Sequence, residues 1–76
     1  TSTLKISGID DIGIVNQIAE TIALYSVTMR NFSYTMEDGL FEGTLSLLVP
    51  NNDVLYSIIK NIQHTRGILK VSRQNS

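Results

Sequence analysis

The sequence predicts an α+β sandwich of the ferredoxin-like type, in which a four-stranded antiparallel sheet carries two helices on one face. Three observations predict it: two segments with apolar residues at helical spacing, four β-rich segments around them, and one tight-turn dipeptide. Their order along the chain is strand, helix, strand, strand, helix, strand, which is the split βαβ pattern. With right-handed crossovers we expect the spatial strand order 4-1-3-2 or its ferredoxin-like equivalent.

The first strand and first helix are predicted from a change of period. Residues 4–7 alternate apolar and polar side chains, as a half-buried strand does. Turn residues follow, and Asp10 or Asp11 is placed to cap the helix that comes next. The apolar stripe of that helix is Ile14, Ile18, Ile22 and Tyr25, with Val15 and Ala19 beside it.

A β-hairpin is predicted in the middle of the chain. Residues 27–37 are rich in β-branched and aromatic types, and residues 40–49 form the return strand. Asp38-Gly39 between them suits a type I′ turn, because both central positions need positive φ, which Asp tolerates and Gly prefers.

The apolar residues of the first hairpin strand change parity between Met29 and Phe32. One explanation is a bulge near Arg30 and Asn31 that switches the phase. The other is a sheet whose open face is partly apolar and covered by a second copy of the chain. We favour the second, and therefore expect a homodimer that pairs through its sheet.

The second helix and last strand complete the pattern. Pro50 ends the preceding strand because it cannot donate to a ladder, and Asn51 or Asn52 caps the helix. Residues 68–73 form a final short strand after Gly67. The stripe of the second helix is Leu55, Ile58, Ile59 and Ile62, with Val54 at its edge.

Composition limits the class of protein. The chain has 76 residues, 42% of them hydrophobic and 17% charged, which predicts one globular domain over residues 1–76 with a core of about 3–73. It has no cysteine, so disulfides and thiolate metal sites are excluded, and a reducing cytoplasm is expected. Without an initiator Met, the chain is interpreted as a fragment of a longer one.

The basic residues are concentrated at one end. Net charge is −1, but residues 54–76 contain no acid and four cations. These cations either form a docking patch or simply belong to a solvated surface. The four residues are Lys60, Arg66, Lys70 and Arg73.

The residues needed for catalysis are missing from the sequence. The single histidine, His64, lies at the predicted end of the second helix without a carboxylate or another ligand at useful spacing. Phosphate-binding glycine motifs are also absent. We therefore predict a non-catalytic module that uses neither a cofactor nor a metal.

The segment from residue 8 to residue 16 has the features of a small-molecule site. A helix N-terminus suits a carboxylate, a glycine allows close approach, and aliphatic residues would surround an aliphatic side chain. This combination predicts a free, branched-chain amino acid; the alternative is ordinary turn and capping chemistry. The candidate ligand residues are Asp10, Asp11, Ile12, Gly13, Ile14, Asn16 and Met29.

Residues 4–15 resemble the opening of an ACT domain, where a strand runs into Asp-x-x-Gly and an aliphatic pair. Residues 38–44 and 66–73 resemble the C-terminal ACT domain of the RelA/SpoT family, the GTP pyrophosphokinases and (p)ppGpp hydrolases of the stringent response. The resemblance covers residues 3–73, with Thr28 where the family usually has Asn.

That resemblance implies a regulatory domain whose parent transfers pyrophosphate from ATP to GTP or GDP, or hydrolyses the product, in other domains. It also implies pairing through sheets, amino-acid binding between the first strand and first helix, and contact with ribosome or tRNA. The basic residues named above are the candidates for that RNA contact. The alternatives are a feedback domain of an amino-acid biosynthetic enzyme and a module that only dimerises.

Overall fold

The computed structural model describes residues 2–9 and 12–74 and contains six elements in the predicted order. Asp10 and Asp11, and with them the predicted cap of the first helix, lie outside the described residues. Neither helix in the described part of the chain is long and apolar enough to cross a membrane. The elements are β1 (Ser2–Ile9), α1 (Ile12–Leu24), β2 (Thr28–Glu37), β3 (Leu40–Leu48), α2 (Asn52–Gln63) and β4 (Ile68–Gln74).

The four strands form one antiparallel sheet in the order β2-β3-β1-β4, which confirms the predicted 4-1-3-2 arrangement. Alternate residues of β1 and β3 are buried, so one face of the sheet is apolar. Both helix stripes join that face in a single cluster, which places the two helices on the same side. The buried cluster consists of Leu4, Ile6, Ile14, Ile18, Ile22, Phe41, Leu45, Leu47, Leu55, Ile58, Ile62 and Val71.

The β2–β3 hairpin forms as predicted, and its turn geometry shows why. Asp38 and Gly39 have φ of 54° and 78°, the positive values that a type I′ turn requires. Asp38 occupies this region at modest cost because its short polar side chain tolerates the left-handed conformation.

A bulge in β2 explains the change of parity in the sequence. The register shifts between Met29 and Asn31, which leaves Arg30 as the extra residue. Met29 pairs with Leu47 and Phe32 with Leu45, so both side chains lie on the helix side of the sheet. The first of the two explanations is therefore confirmed. Leu40 and Leu48 of β3 nevertheless lie on the open face, each 48% exposed, so that face is partly apolar, and the homodimer stays a prediction.

α2 begins at a side-chain cap. Asn51, not Asn52, is the capping residue: its backbone is extended, and its Oδ1 accepts a hydrogen bond of 2.9 Å from the Val54 N–H. His64 is the C-cap, and its N–H donates to the Lys60 carbonyl at 3.1 Å. The helix is tied to the end of α1 through Tyr25, whose hydroxyl donates to the Ser57 carbonyl at 3.4 Å.

Candidate functional site

A cavity of about 340 Å³ lies where the end of β1 meets the start of α1 and the turn between α2 and β4. Its volume is at the lower end of the range for small-molecule sites. Apolar and polar groups share its wall, as in sites that bind an amphipathic ligand. Its lining residues are Ile9, Gly13, Ile14, Gln17, Thr65 and Arg66.

Two of the predicted ligand residues, Gly13 and Ile14, line this cavity. Asn16 is exposed one turn into α1 and is not among the lining residues, because it lies on the side of the helix away from the buried Ile14 and Ile18. Asp10, Asp11 and the side chain of Ile12 lie outside the described residues, so their predicted roles stay predictions.

Met29 is not brought to the cavity. It pairs with Leu47, which pairs with Ser2 at the first position of β1, whereas the cavity is at Ile9, the last position. Seven steps along a strand separate these positions by about 23 Å. The sequence argument placed Met29 in the site only as apolar surface around an aliphatic ligand side chain.

Four cavity residues were not anticipated as ligand contacts: Ile9, Gln17, Thr65 and Arg66, the last of which was considered only for RNA contact. Gln17 follows Gly13 and Ile14 by four and three residues, so helical spacing was a usable signal for it. Thr65 carries no such local signal, because it reaches the cavity through the packing of α2 and β4 against β1.

The turn between α2 and β4 is fixed by backbone hydrogen bonds. The Ile68 N–H donates to the Thr65 carbonyl at 3.1 Å, and the Ile9 N–H donates to the Gly67 carbonyl at 2.9 Å. Gly67 has a φ of +95°, a conformation that other residues rarely adopt. These constraints hold the backbone of Arg66 beside the end of β1.

The four basic residues of the C-terminal third do not form one patch. Lys70 pairs with Ser7 on the open face of the sheet, while Arg73 pairs with the buried Leu4 and lies on the helix side. Lys60 is exposed on α2, and Arg66 lines the cavity. Contact with ribosome or tRNA through all four at once would need more than one surface of the domain.

The middle of the sheet's open face is polar. A shallow cavity of about 270 Å³ crosses it and is lined mainly by hydroxyl and charged side chains, among them Lys5, Ser7, Thr35, Glu42 and Thr44. Within residues 2–9 and 12–74, the sheet's aromatic side chains all lie on the helix side, because each shares the face of a buried residue. This face therefore lacks the stacking platform through which four-stranded RNA-binding modules hold bases.

The helix side of β2 is only partly covered. The rings of Phe32 and Tyr34 pack in a tilted arrangement with centroids 5.5 Å apart, and the Tyr34 ring centroid lies 5.6 Å from that of the buried Phe41. Met29 and Tyr34 nevertheless remain 37% and 43% exposed. In the described residues no group of three or more His, Asp or Glu side chains could hold a metal ion.

The architecture and the sequence agree with one family. The family model described as the ACT domain matches residues 1–73 of the chain. The chain belongs to the ACT domain family. The resemblance noted in its opening segment is thus confirmed, and the cavity of this ACT domain lies beside that segment. No curated protein sequence is similar enough to count as a match.

Solved structures with the same fold include other ACT domains. The crystal structure of the ACT domain from GTP pyrophosphokinase of Chlorobium tepidum has 27% identity and a TM-score of 0.87, covering 96% of this chain and 95% of that one. The small subunit of acetolactate synthase from Thermotoga maritima has 12% identity and a TM-score of 0.79, covering 95% of this chain and 45% of that one. At that identity the second similarity shows the fold alone.

Proposed function

We propose that this ACT domain is the regulatory part of a longer enzyme of the GTP pyrophosphokinase type, acting in (p)ppGpp synthesis or hydrolysis and not catalytic itself. The near-complete two-way coverage of the Chlorobium tepidum domain supports this assignment, because the two chains correspond as whole domains. A biosynthetic enzyme with amino-acid feedback is the alternative parent.

We further propose that the domain senses a free, branched aliphatic amino acid in the cavity of about 340 Å³. The observation that carries this proposal is the composition of the cavity wall. Ile9 and Ile14 offer apolar surface for an aliphatic side chain, and Gln17, Thr65 and Arg66 offer polar groups for the two charged ends.

The position of the cavity suggests how a ligand would act on the parent. Its wall combines the start of α1 with the turn that leads into β4, two segments that are distant in sequence. A ligand that contacts both stabilises the arrangement in which they are adjacent. Such a ligand shifts the equilibrium between two states of the parent enzyme only to the extent that the ligand's affinity differs between those states.

Isothermal titration of the chain with L-valine, L-isoleucine and L-leucine tests this proposal. We expect saturable heats with at least one of them and none with glycine, which lacks the aliphatic side chain, or with aspartate, whose side chain carries a charge. At a ligand concentration of 100 Kd, the free energy of unfolding should rise by about 2.7 kcal/mol. An absence of heat with all three at millimolar concentration would show that the cavity is not an amino-acid sensor.

A second candidate function, homodimerisation through the sheet, is supported by β2. This strand is one of the two edges of the sheet, and residues 31–37 contain no proline, lysine or bulge to discourage pairing with another chain. Met29 and Tyr34 supply half-exposed apolar surface beside it. Two β2 strands paired antiparallel would extend the sheet and cover these side chains.

A dimer of this kind should melt at a temperature that rises with protein concentration. Replacing Tyr34, whose side chain is 43% exposed, with Lys should abolish that dependence, since it adds a charge at the edge. Tyr56→Lys on α2, a change at a 56% exposed site away from β2, is the matched control. Sedimentation as a monomer at every concentration would refute the dimer.

A further inference from the structure

Arg66 contributes the only charged side chain among the described lining residues of the cavity. Its sequence position had grouped it with the basic residues considered for RNA contact, yet the fold places it opposite the first turn of α1. We propose that Arg66 binds the carboxylate of the ligand, an inference that rests on the proposed sensing function and assigns recognition of that carboxylate to one residue.

The chemistry of the side chain suits this role. A guanidinium is always charged and presents a planar fork of donors that matches both oxygens of a carboxylate. Its backbone is fixed by the Ile9-to-Gly67 and Ile68-to-Thr65 hydrogen bonds of the turn, so part of the ordering cost is met before a ligand arrives.

The neighbouring groups complete a consistent orientation for an amino acid. The Thr65 hydroxyl donates to the Asn61 carbonyl at 3.2 Å, which leaves its oxygen as an acceptor for a ligand ammonium. The Gln17 side-chain oxygen is a second acceptor on the same wall. Ile9, 46% exposed, and the buried Ile14 then face the aliphatic end.

The role of Arg66 is tested with three probes that differ by one charged group: L-valine, isovalerate without the ammonium, and isobutylamine without the carboxylate. Each is titrated calorimetrically into the unaltered chain and into Arg66→Gln, Arg66→Lys and Arg73→Gln. Arg73 is the matched control, because it is also basic and exposed but lies on β4, where it pairs with Leu4 of β1 away from the cavity.

We expect Arg66→Gln to weaken valine and isovalerate about 10- to 100-fold, the loss typical of a hydrogen bond to a charged group. Arg66→Lys should recover part of that affinity, Arg73→Gln should leave it unchanged, and isobutylamine should bind weakly to all four proteins. Because the Arg66 side chain is exposed, the variants should melt at the temperature of the unaltered chain.

The outcomes separate this inference from the proposal beneath it. If valine binds equally to the unaltered chain and to Arg66→Gln, sensing stands and the role of Arg66 is refuted. If isovalerate binds in an Arg66-dependent way but none of the three amino acids binds, the amino-acid proposal fails and the role of Arg66 stands. Failure of isovalerate and of all three amino acids to bind overturns both.

Discussion

Replacing Phe41 with Ala is expected to lower the free energy of unfolding by about 3–5 kcal/mol, the usual loss when a buried phenylalanine leaves a cavity. Phe41 is fully buried, and its ring fills the space above Gly43, where an added Cβ would lie 3.0 Å from the ring. At roughly 0.05–0.15 kcal/mol per residue, a chain of 76 residues has only about 4–11 kcal/mol of stability to lose.

Urea denaturation followed by circular dichroism measures this loss. Tyr56→Ala on α2 is the control, because that side chain is 56% exposed and its removal should change stability by no more than about 0.5 kcal/mol. The loss in free energy of unfolding for Phe41→Leu should fall between the losses for Phe41→Ala and Tyr56→Ala. A loss below about 1 kcal/mol for Phe41→Ala would contradict the packing of Phe41 between Tyr34 and the helices.

Replacing Gly8 with Val is expected to lower the free energy of unfolding by about 3 kcal/mol and to abolish the proposed ligand binding at the cavity. A Cβ at Gly8 would lie 2.8 Å from the Gly67 carbonyl oxygen and 3.3 Å from Ile14 Cδ1. The oxygen belongs to the backbone, so the turn that carries Arg66 must move away from β1.

The matched control places the same side chain one position earlier. Ser7→Val puts valine on the open face of the sheet, where Ser7 pairs with Glu42 and Lys70, and should change stability by less than about 0.5 kcal/mol. Thermal unfolding and valine titration are measured for both variants. Equal stability of the two would show that Gly8 is not the contact that holds the turn against β1.

Local signals in the sequence were strong where one short segment decides its own conformation. Asp38 and Gly39 both have positive φ, which few other residue pairs tolerate. This dipeptide therefore predicts the type I′ turn and with it the hairpin. Asn51 caps α2 through its own side chain, so a choice between two adjacent asparagines was the only ambiguity.

The bulge at Arg30 shows the limit of pattern reading. The period of the side chains revealed that the phase changes between Met29 and Phe32, but the sequence allowed two explanations of that change and did not fix the register. The register of β2 against β3 decides between them, and register depends on the partner strand.

The sequence by itself determined the order of the elements, the apolar faces of both helices, the hairpin turn and the family, because these depend on local period and turn chemistry. The tertiary structure decided which residues meet. It joined Arg66 and Thr65 to Gly13 and Ile14 in one cavity, and placed Met29 at the other end of the sheet. Such neighbours are set by strand order and close glycine packing, which act between segments that no short window of sequence contains.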